Sequence, residues 1–183
     1  MKSELSSTRP RRSAPMRDLE KVEFRSIRPE ELTSLVDIEG VNLPLFMRSK
    51  VLVLARIDRE FVGMCGIRGI LNTSSTEVSE KFQGQGIGNE LMTRVIDAAR
   101  KRGEKLILST AYTTNYRSLR LTQKFGFVNI FVFTGNEVDE MMTILPLSRL
   151  GWSAVVLLRL FRRASPRTLG LFYAVVQRLV SKT

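Results

Sequence analysis

The stretch KFQGQGIGNEL, residues 81–91, holds three glycines within five positions and runs directly into a helix-like pattern. Closely spaced glycines let consecutive backbone N–H groups point into one concavity, and the helix that follows adds the positive end of its dipole. A loop of this kind binds an anion without a dedicated cationic side chain. The stretch therefore predicts an anion-binding turn between a strand and a helix.

Two well-known phosphate loops do not fit this stretch. A Walker-type loop needs a lysine and then a serine or threonine directly after its last glycine, whereas Gly88 is followed by Asn89 and Glu90. The dinucleotide fingerprint spaces its glycines Gly-x-Gly-x-x-Gly after the first strand of a parallel unit. Here the glycines at 84, 86 and 88 are spaced Gly-x-Gly-x-Gly, and the predicted strand before them is the fourth. Both of these nucleotide-loop classes are therefore excluded.

The composition is typical of one basic folded domain. The chain has 183 residues with a hydrophobic fraction of 43%, which is enough for a core and too short for two full domains. Its formal net charge is +11, from 29 Lys and Arg against 18 Asp and Glu. Such a charge attracts phosphates, nucleic acid, anionic lipid or a polyanionic cofactor, and does not choose among them.

The missing residue types exclude several chemistries. There is no histidine, so no catalytic triad or dyad can use an imidazole. The single cysteine, Cys65, lies in the apolar run FVGMCGI, which predicts a buried, inert thiol. One cysteine forms no internal disulfide and fits a reducing compartment. With so few nitrogen and sulfur ligands, we expect no metal site.

The hydrophobic periodicity predicts an α/β fold. Strands are recognised by alternation and β-branched residues, and helices by apolar positions three and four apart. The predicted order is a strand at 24–27, a helix from Pro29, a hairpin turning at 58–60, a fourth strand ending near Val78, a helix at 91–103, a strand at 105–112, a helix at 115–126 and a hairpin turning at 135–136. This order predicts a single, largely antiparallel sheet flanked by helices.

The chain divides into three segments. Residues 1–21 are polar and rich in Arg and Pro, which predicts a disordered basic tail without the apolar centre of a secretion signal. Residues 22–148 form the predicted folded domain. Residues 149–183 are predicted to form an amphipathic helical hairpin, with helices at about 152–163 and 166–180.

Two motifs resemble one known family. VSEKFQGQGIGNELM is similar to the acyl-CoA loop of the GNAT superfamily of N-acetyltransferases, with matches at Gln83, Gly86 and Gly88. Downstream, NYRSLRLTQKFGF resembles that family's Asn-x-x-Ala-x-x-Leu-Tyr-x-Lys-x-Gly-Phe helix. The matches are Asn115, Leu121, Lys124, Gly126 and Phe127, with Ser118 in place of alanine. The resemblance covers about residues 23–147, and it implies a mostly antiparallel mixed sheet that splays between strands 4 and 5.

The resemblance also implies a co-substrate and its contacts. Acetyl-CoA would lie in the gap between the splayed strands, with its pyrophosphate on the backbone N–H groups of the loop and with no metal. The backbone of Val78 would pair with the pantetheine arm. Asn115 would hydrogen-bond the arm or the thioester region, Lys124 would approach a phosphate, and Ser118 lies on the same helix. The loop residues implied are Gln83, Gly84, Gln85, Gly86, Ile87 and Gly88.

The implied reaction is direct attack of an amine on the thioester. A lysine-like amine has a pKa near 10.4, so a base must take its proton at neutral pH. Glu77, near the end of the fourth strand, is the first candidate for this base, followed by Glu80 in the loop. The family's usual tyrosine, which can protonate the departing thiolate, falls on Thr122. Tyr116 and Tyr112 are the candidates to replace that tyrosine.

The sequence therefore predicts an acetyl-CoA-dependent N-acetyltransferase acting on a primary amine. The alternative is an acetyl-CoA-binding or membrane-associated module with weak or no catalysis. The acceptor is a small molecule or a protein, and its pocket is expected between residues 39–48 and the final hairpin. No residue code in those segments identifies the acceptor.

The C-terminal segment has three open interpretations. Its apolar faces pack on the domain or on a second copy in a homodimer, or residues 150–180 lie on an anionic membrane surface. Nucleic-acid binding by the basic tails is the least favoured. The expected location is the cytoplasm, at the inner face of the membrane if the lipid interpretation holds.

Overall fold

The computed structural model of the protein describes residues 19–34, 43–69, 71–134 and 139–161. Several sequence predictions fall outside these ranges. They are most of the basic tail, the first part of the expected acceptor segment at 39–42, the turn at 135–136 and the second extension helix at 166–180.

The described residues form seven strands and four α-helices. Short 3₁₀ turns cover Leu19–Lys21, Pro29–Ser34 and Glu80–Phe82. The strands are β1 (Glu23–Ser26), β2 (Ser49–Ile57), β3 (Glu60–Arg68), β4 (Thr73–Val78), β5 (Leu106–Tyr112), β6 (Val128–Thr134) and β7 (Asp139–Pro146). The helices are α1 (Leu43–Phe46), α2 (Ile87–Lys101), α3 (Tyr116–Lys124) and α4 (Arg149–Phe161).

One sheet joins all seven strands in the order β1-β2-β3-β4-β5-β7-β6. Every neighbouring pair is antiparallel except β4 and β5, which are parallel. That parallel pair is in register only at Thr73 and Leu108, and beyond this point the two strands diverge. Both the mostly antiparallel sheet and the splay between strands 4 and 5 are therefore confirmed.

The two faces of the sheet carry different helices. Val53 and Cys65, which are directly opposed on β2 and β3, both belong to the core cluster that α2 covers through Leu91 and Val95. Side chains alternate along a strand, so the next pair points the other way. Leu54 and Met64 indeed lie in a separate cluster with Phe46 of α1. α2 and α1 thus cover opposite faces.

α4 packs on the same face as α1, at the other end of the sheet. Its Val155 is buried in a cluster with Leu108 of β5 and Met142 of β7. Its Gly151 approaches the backbone so closely that an added Cβ would lie 2.3 Å from the carbonyl oxygen of Lys105. The first helix of the extension therefore belongs to the folded body, and it begins at Arg149, three residues before the predicted start.

The lone cysteine is a structural residue. Cys65 is fully buried, and its Sγ lies 3.1 Å from the hydroxyl oxygen of Thr76. Burial raises the pKa of the thiol to about 12, although the hydrogen bond to Thr76 acts in the opposite direction. The predicted burial of the thiol is confirmed, and its inertness stays a prediction.

Candidate active site

A cleft opens where β4 and β5 diverge. The N–H of Ser79 donates to the carbonyl of Val62 at 2.9 Å, so these two residues form a hydrogen-bonded pair of the β3–β4 ladder. Hydrogen-bonded and non-hydrogen-bonded pairs alternate in an antiparallel ladder. The pair Gly63 and Val78 is therefore non-hydrogen-bonded, and the backbone groups of Val78 point away from β3. Those of Thr76, two residues earlier, point the same way, so β4 presents backbone donors and acceptors to the cleft.

The closed end of the cleft is held by Asn72. Its carbonyl accepts from the N–H of Leu108 at 3.2 Å, and its Nδ2 donates to Glu104 Oε2 at 2.8 Å and to the carbonyl of Leu106 at 3.0 Å. The Nζ of Lys50 donates to Asn72 Oδ1 at 3.1 Å. Asn72 is buried with φ at 53°, a conformation that asparagine tolerates better than most residues. This single side chain ties the start of β4 to the start of β5.

The glycine loop lies at the open end, between β4 and α2. Gly86 is the N-cap of α2 with φ at 90°, and Gly84 has φ at 83°, so both adopt conformations that favour glycine. The first backbone bonds of the helix run from Asn89 and Glu90 to the carbonyl of Gly86. Within the described residues, the N–H groups of 84–88 have no backbone acceptor. The N–H of Gln83, which we expected to join them, donates to Glu80 at 3.2 Å.

Gly88 is not a packing requirement. A Cβ at this position would make only ordinary contacts, at 3.8 Å to Val78 and 3.9 Å to Leu121. Glycine at a helix position that could hold alanine costs about 1 kcal/mol. The small residue therefore leaves space open at the helix N-terminus, between β4 and α3, which suits the close approach of a ligand.

A polar bridge crosses the mouth of the cleft. Gln83 Nε2 donates to the carbonyl of Val78 at 3.1 Å, and Arg117 Nη1 of α3 donates to Gln83 Oε1. Arg117 was not among the predicted site residues. The sequence did contain a signal for this residue, namely a cation in the first turn of a predicted helix, where its interaction with the helix dipole is unfavourable. Arg117 therefore adds a positive charge beside the glycine loop.

The other residues expected on α3 are spread along the helix. Asn115 is its N-cap, and Oδ1 accepts from the N–H of Ser118 at 3.1 Å, so the structure gives both residues a capping role. Lys124 lies in the last turn, about 10 Å along the axis from Arg117 at 1.5 Å per residue. The cation that reaches the loop is therefore Arg117, and Lys124 is exposed at the far end of the helix.

Glu77 points to the face opposite α2 and α3. It is directly opposed to Met64, and Met64 packs with Leu32 and Phe46 beneath α1. Opposed residues on neighbouring strands point to the same face. Glu77 is half-buried, and its side chain is therefore on the α1 and α4 side of the sheet, whereas the glycine loop leads into α2 on the other side.

A second carboxylate shares this side of the sheet. Thr73 and Leu108 are paired across the cleft, so Glu77 and Tyr112, each an even number of residues onward, lie on that same face. Glu140 of β7 is directly opposed to Tyr112. Glu140 was not among the predicted site residues, because only the register of β5 with β7 places it there. Two glutamates and a tyrosine therefore lie on one face around the cleft.

The position of the family's tyrosine is buried. Thr122 is only 3% exposed, and its hydroxyl donates to the carbonyl of Leu119 at 3.0 Å, inside its own helix. Tyr116, in the first turn of α3, and Tyr112, at the end of β5, are both well exposed. Among the described residues these two supply the phenols, and Thr122 offers no proton to the cleft.

The described ranges hold no competing metal site or membrane-spanning helix. In the described ranges, no three His, Cys, Asp or Glu side chains are grouped so that they could hold a metal ion. No helix in those ranges is long and apolar enough to cross a bilayer. A cavity of about 250 Å³ lies at the β1 edge between Arg25, Glu31 and Arg56, two strands away from β4, and does not reach the cleft.

The sheet that opens at one parallel pair, with a glycine loop leading into a helix at its mouth, defines the acetyltransferase fold class. Residues 14–127 match the model of the acetyltransferase (GNAT) family. Because this match covers more than half of the chain, the protein belongs to that family.

A curated relative and two solved structures are similar to this chain. The L-amino acid N-acyltransferase MnaT of Escherichia coli K12 is 39% identical over 54 residues, which is 30% of this chain and 31% of that protein. The structure of yncA from Salmonella typhimurium with acetyl-CoA is 16% identical and has a TM-score of 0.58, covering 70% of this chain and 95% of that one. A GNAT family acetyltransferase from Elizabethkingia anophelis with acetyl-CoA bound is 22% identical and has a TM-score of 0.51, covering 69% and 99%. At these identities the solved structures show the fold alone.

Proposed function

We propose that the protein transfers an acetyl group from acetyl-CoA to a primary amine by direct attack. The observation that carries this proposal is the β4–β5 cleft, whose mouth holds the N–H groups of 84–88 at a helix N-terminus. An anion-binding loop and a slot with strand-like backbone groups are what a pyrophosphate on an extended amide-containing arm requires. Membership of the GNAT family and the acetyl-CoA in the two solved structures support the same donor.

Acetyl-CoA, the acetyl donor, would be held by backbone groups more than by side chains. The pyrophosphate would accept from the N–H groups of 84–88, with the positive end of the α2 dipole and Arg117 adding charge. Thr76 and Val78 would pair their backbone groups with the pantetheine amides, as an added strand would. The carbonyl of Val78 now accepts from Gln83 Nε2, so that side chain would have to turn away when the arm enters.

The acceptor amine would enter from the α1 and α4 side. Acetyl-CoA supplies an activated thioester, and the amine must be neutral to attack it. Glu77 is on that side and would take the proton from the ammonium group of the acceptor. Glu140 is on the same face, so two carboxylates would attract a cationic amine. Glu80 is exposed beside the glycine loop, which makes it the weaker candidate for the base.

The departing thiolate would take its proton from Tyr116, with Tyr112 as the alternative donor. Asn115 would orient the thioester through its amide nitrogen, since its Oδ1 already caps α3. Ser118 and Lys124 remain proposed cofactor contacts at the start and end of that helix. The acceptor would be a small molecule or a protein with a primary amine.

A second candidate is an acetyl-CoA-binding module with weak or no catalysis. The specific observation in its favour is Thr122, which is buried with its hydroxyl bonded inside α3 where the family has an acidic phenol. A cleft without that phenol would still bind acetyl-CoA through backbone groups. Donor affinity and turnover therefore have to be measured separately.

The test combines calorimetric binding of acetyl-CoA with release of free CoA thiol in the presence of a panel of amines. We expect tight binding and amine-dependent thiol release. Glu77→Gln should lower kcat by about 10²- to 10⁴-fold near neutral pH while leaving acetyl-CoA affinity unchanged. Glu80→Gln tests the weaker candidate for the base, and we expect it to retain activity. Tight binding without amine-dependent release would establish the binding module instead, and absence of binding would refute both.

A further inference from the structure

α4 exposes an apolar face that nothing in the described chain covers. Five large apolar side chains of this one helix are 54–65% exposed, and the other four such residues of the described chain are scattered over separate elements. At about 100° per residue the five fall within an arc of about 160°, opposite the buried Val155. They are Leu150, Trp152, Val156, Leu157 and Leu160. We call them the outer face of α4, and an apolar patch of this kind marks an interaction surface.

The charge of the same region has one sign. Residues 149–183 carry seven Lys and Arg and no Asp or Glu, whereas residues 1–148 carry 22 Lys and Arg against 18 Asp and Glu. Seven of the eleven net positive charges therefore come from the last 35 residues. On α4 itself, Arg149 and Arg159 lie near the two ends of the outer face. Their aliphatic stems can lie along apolar surface while the guanidinium groups reach anionic groups.

We propose that the outer face of α4 docks on an anionic phospholipid surface. A helix that lies in the membrane interface needs a broad apolar face, an aromatic anchor and cations for the headgroups. α4 supplies all three, with Trp152 as the anchor. A second protein that covered the patch would also face a segment with seven cations and no anions. An anionic lipid surface meets both the apolar face and these cations, so the charge favours lipid.

This docking would also orient the catalytic cleft, a consequence that rests on the proposed function. α4 packs on the sheet face that Leu108 and Glu77 share. The outer face of α4 points away from that sheet face, toward the side from which the acceptor would enter. A docked molecule would therefore turn its acceptor side toward the bilayer and accept amines presented there.

Trp152 provides a direct test, because it is the only tryptophan of the chain and lies on the outer face. Full-length protein is titrated with vesicles of phosphatidylcholine alone and with vesicles containing about 30% phosphatidylglycerol, and the emission spectrum of Trp152 is followed. We expect a blue shift with the anionic vesicles, weaker at high salt, and little change with the neutral ones. This readout requires no enzymatic activity, so it can fail or succeed independently of the proposed function.

A matched pair of valines controls for nonspecific effects. Val156 is 57% exposed on the outer face, and Val132 is 52% exposed on β6. Val156→Ser should lower vesicle partitioning, and combined with Leu157→Ser it should lower it about tenfold or more, because these changes remove apolar area that would enter the interface. Val132→Ser should leave partitioning unchanged. Circular dichroism spectra of the variants check that each one is folded.

Four results would overturn the proposal. Equal partitioning to neutral and anionic vesicles, or none to either, would remove the anionic lipid as partner. A Trp152 emission already blue-shifted and shielded from iodide in the vesicle-free monomer would mean that residues 162–183 cover the face within the chain. A shift that depends on protein concentration, together with a doubled mass in sedimentation, would mean that a second copy covers it.

Discussion

Asn72 Nδ2 donates to Glu104 Oε2 at 2.8 Å across the closed end of the cleft, joining the residue before β4 to the segment before β5. The two residues are 32 positions apart in the chain. Only one residue pair of β4 and β5 is in register. The side-chain hydrogen bonds of Asn72 therefore help to hold the two strands together at this end. This junction therefore joins the two strands at the closed end of the cleft.

Replacing Asn72 should destabilise the protein in a graded way. Asn72→Gly keeps the backbone conformation at φ 53° but loses the side-chain bonds, which we expect to cost about 1–3 kcal/mol. Asn72→Ala adds strain in that conformation and should cost about 1 kcal/mol more. Asn72→Asp places a carboxylate against Glu104 and should be at least as destabilising as Asn72→Gly. Urea unfolding measures the order, and a fully stable Asn72→Asp variant would contradict it.

Gly88→Ala should separate stability from donor binding. The new methyl group fits the protein, with its nearest neighbours at 3.8 and 3.9 Å, and alanine favours a helix, so the free energy of unfolding should stay equal or rise by up to about 1 kcal/mol. The same methyl group would meet the pyrophosphate at the mouth of the cleft. We expect acetyl-CoA affinity to fall about tenfold or more, measured by calorimetry.

The control for Gly88→Ala is Thr93→Ala on the exposed side of the same helix. Thr93 is exposed, and its hydroxyl bonds only to the carbonyl of Asn89 one turn earlier. Donor affinity should be unchanged in this variant. If both variants bind acetyl-CoA like the unmodified protein, the phosphate does not sit on the glycine loop.

Arg117→Ala should weaken acetyl-CoA binding about tenfold at low ionic strength, with a smaller effect at high salt. The guanidinium group is next to the loop through its bond to Gln83, and an exposed charge is screened by salt. Arg120→Ala removes an exposed arginine from the same helix and serves as the control. Lys124→Ala tests the other cation, and a larger loss there than in Arg117→Ala would show that the phosphates lie toward the far end of α3.

The sequence predicted what depends on local pattern. The glycine spacing after a fourth strand, and the helix that Asn115 caps, are short motifs whose backbone conformations follow from the residues themselves. The splayed sheet followed from the resemblance those motifs carry, and the structure confirms it. The buried Cys65 followed from its apolar neighbours.

The sequence did not predict what depends on long-range register. Arg117 and Gln83 are 34 residues apart, and their contact exists only because α3 and the loop meet across the cleft. Glu140 faces the cleft because β7 pairs with β5 in one register, and a shift by one residue would turn it to the opposite face. In the sequence, Asn72 is one of several polar residues in NTSST. Its role becomes visible only when β5 is placed beside it.

The thiol of Cys65 should be unreactive in the folded protein. Burial raises its pKa to about 12 from an ordinary value of 9.0, so almost no thiolate forms at pH 8. Burial also keeps thiol reagents away from the sulfur. An aromatic disulfide reagent should titrate no thiol in the native protein and one per chain in denaturant. Because Cys65 does not react, a thiol-release assay has no background from the protein. Labelling of the native protein as fast as that of a free thiol would contradict the buried position of Cys65.

The raised pKa of Cys65 also predicts a loss of stability in alkali. A group with a higher pKa in the folded state stabilises that state fully below its unfolded pKa, and loses this contribution as the pH rises toward the folded pKa. The window here runs from about pH 9 to about pH 12. Cys65→Ala lacks the titrating group but keeps the other alkaline groups, so it is the matched reference. Between pH 9.5 and 10.5 the unmodified protein should lose about 1 kcal/mol more per pH unit than Cys65→Ala in urea unfolding, and parallel curves would show that the thiol ionises equally in both states.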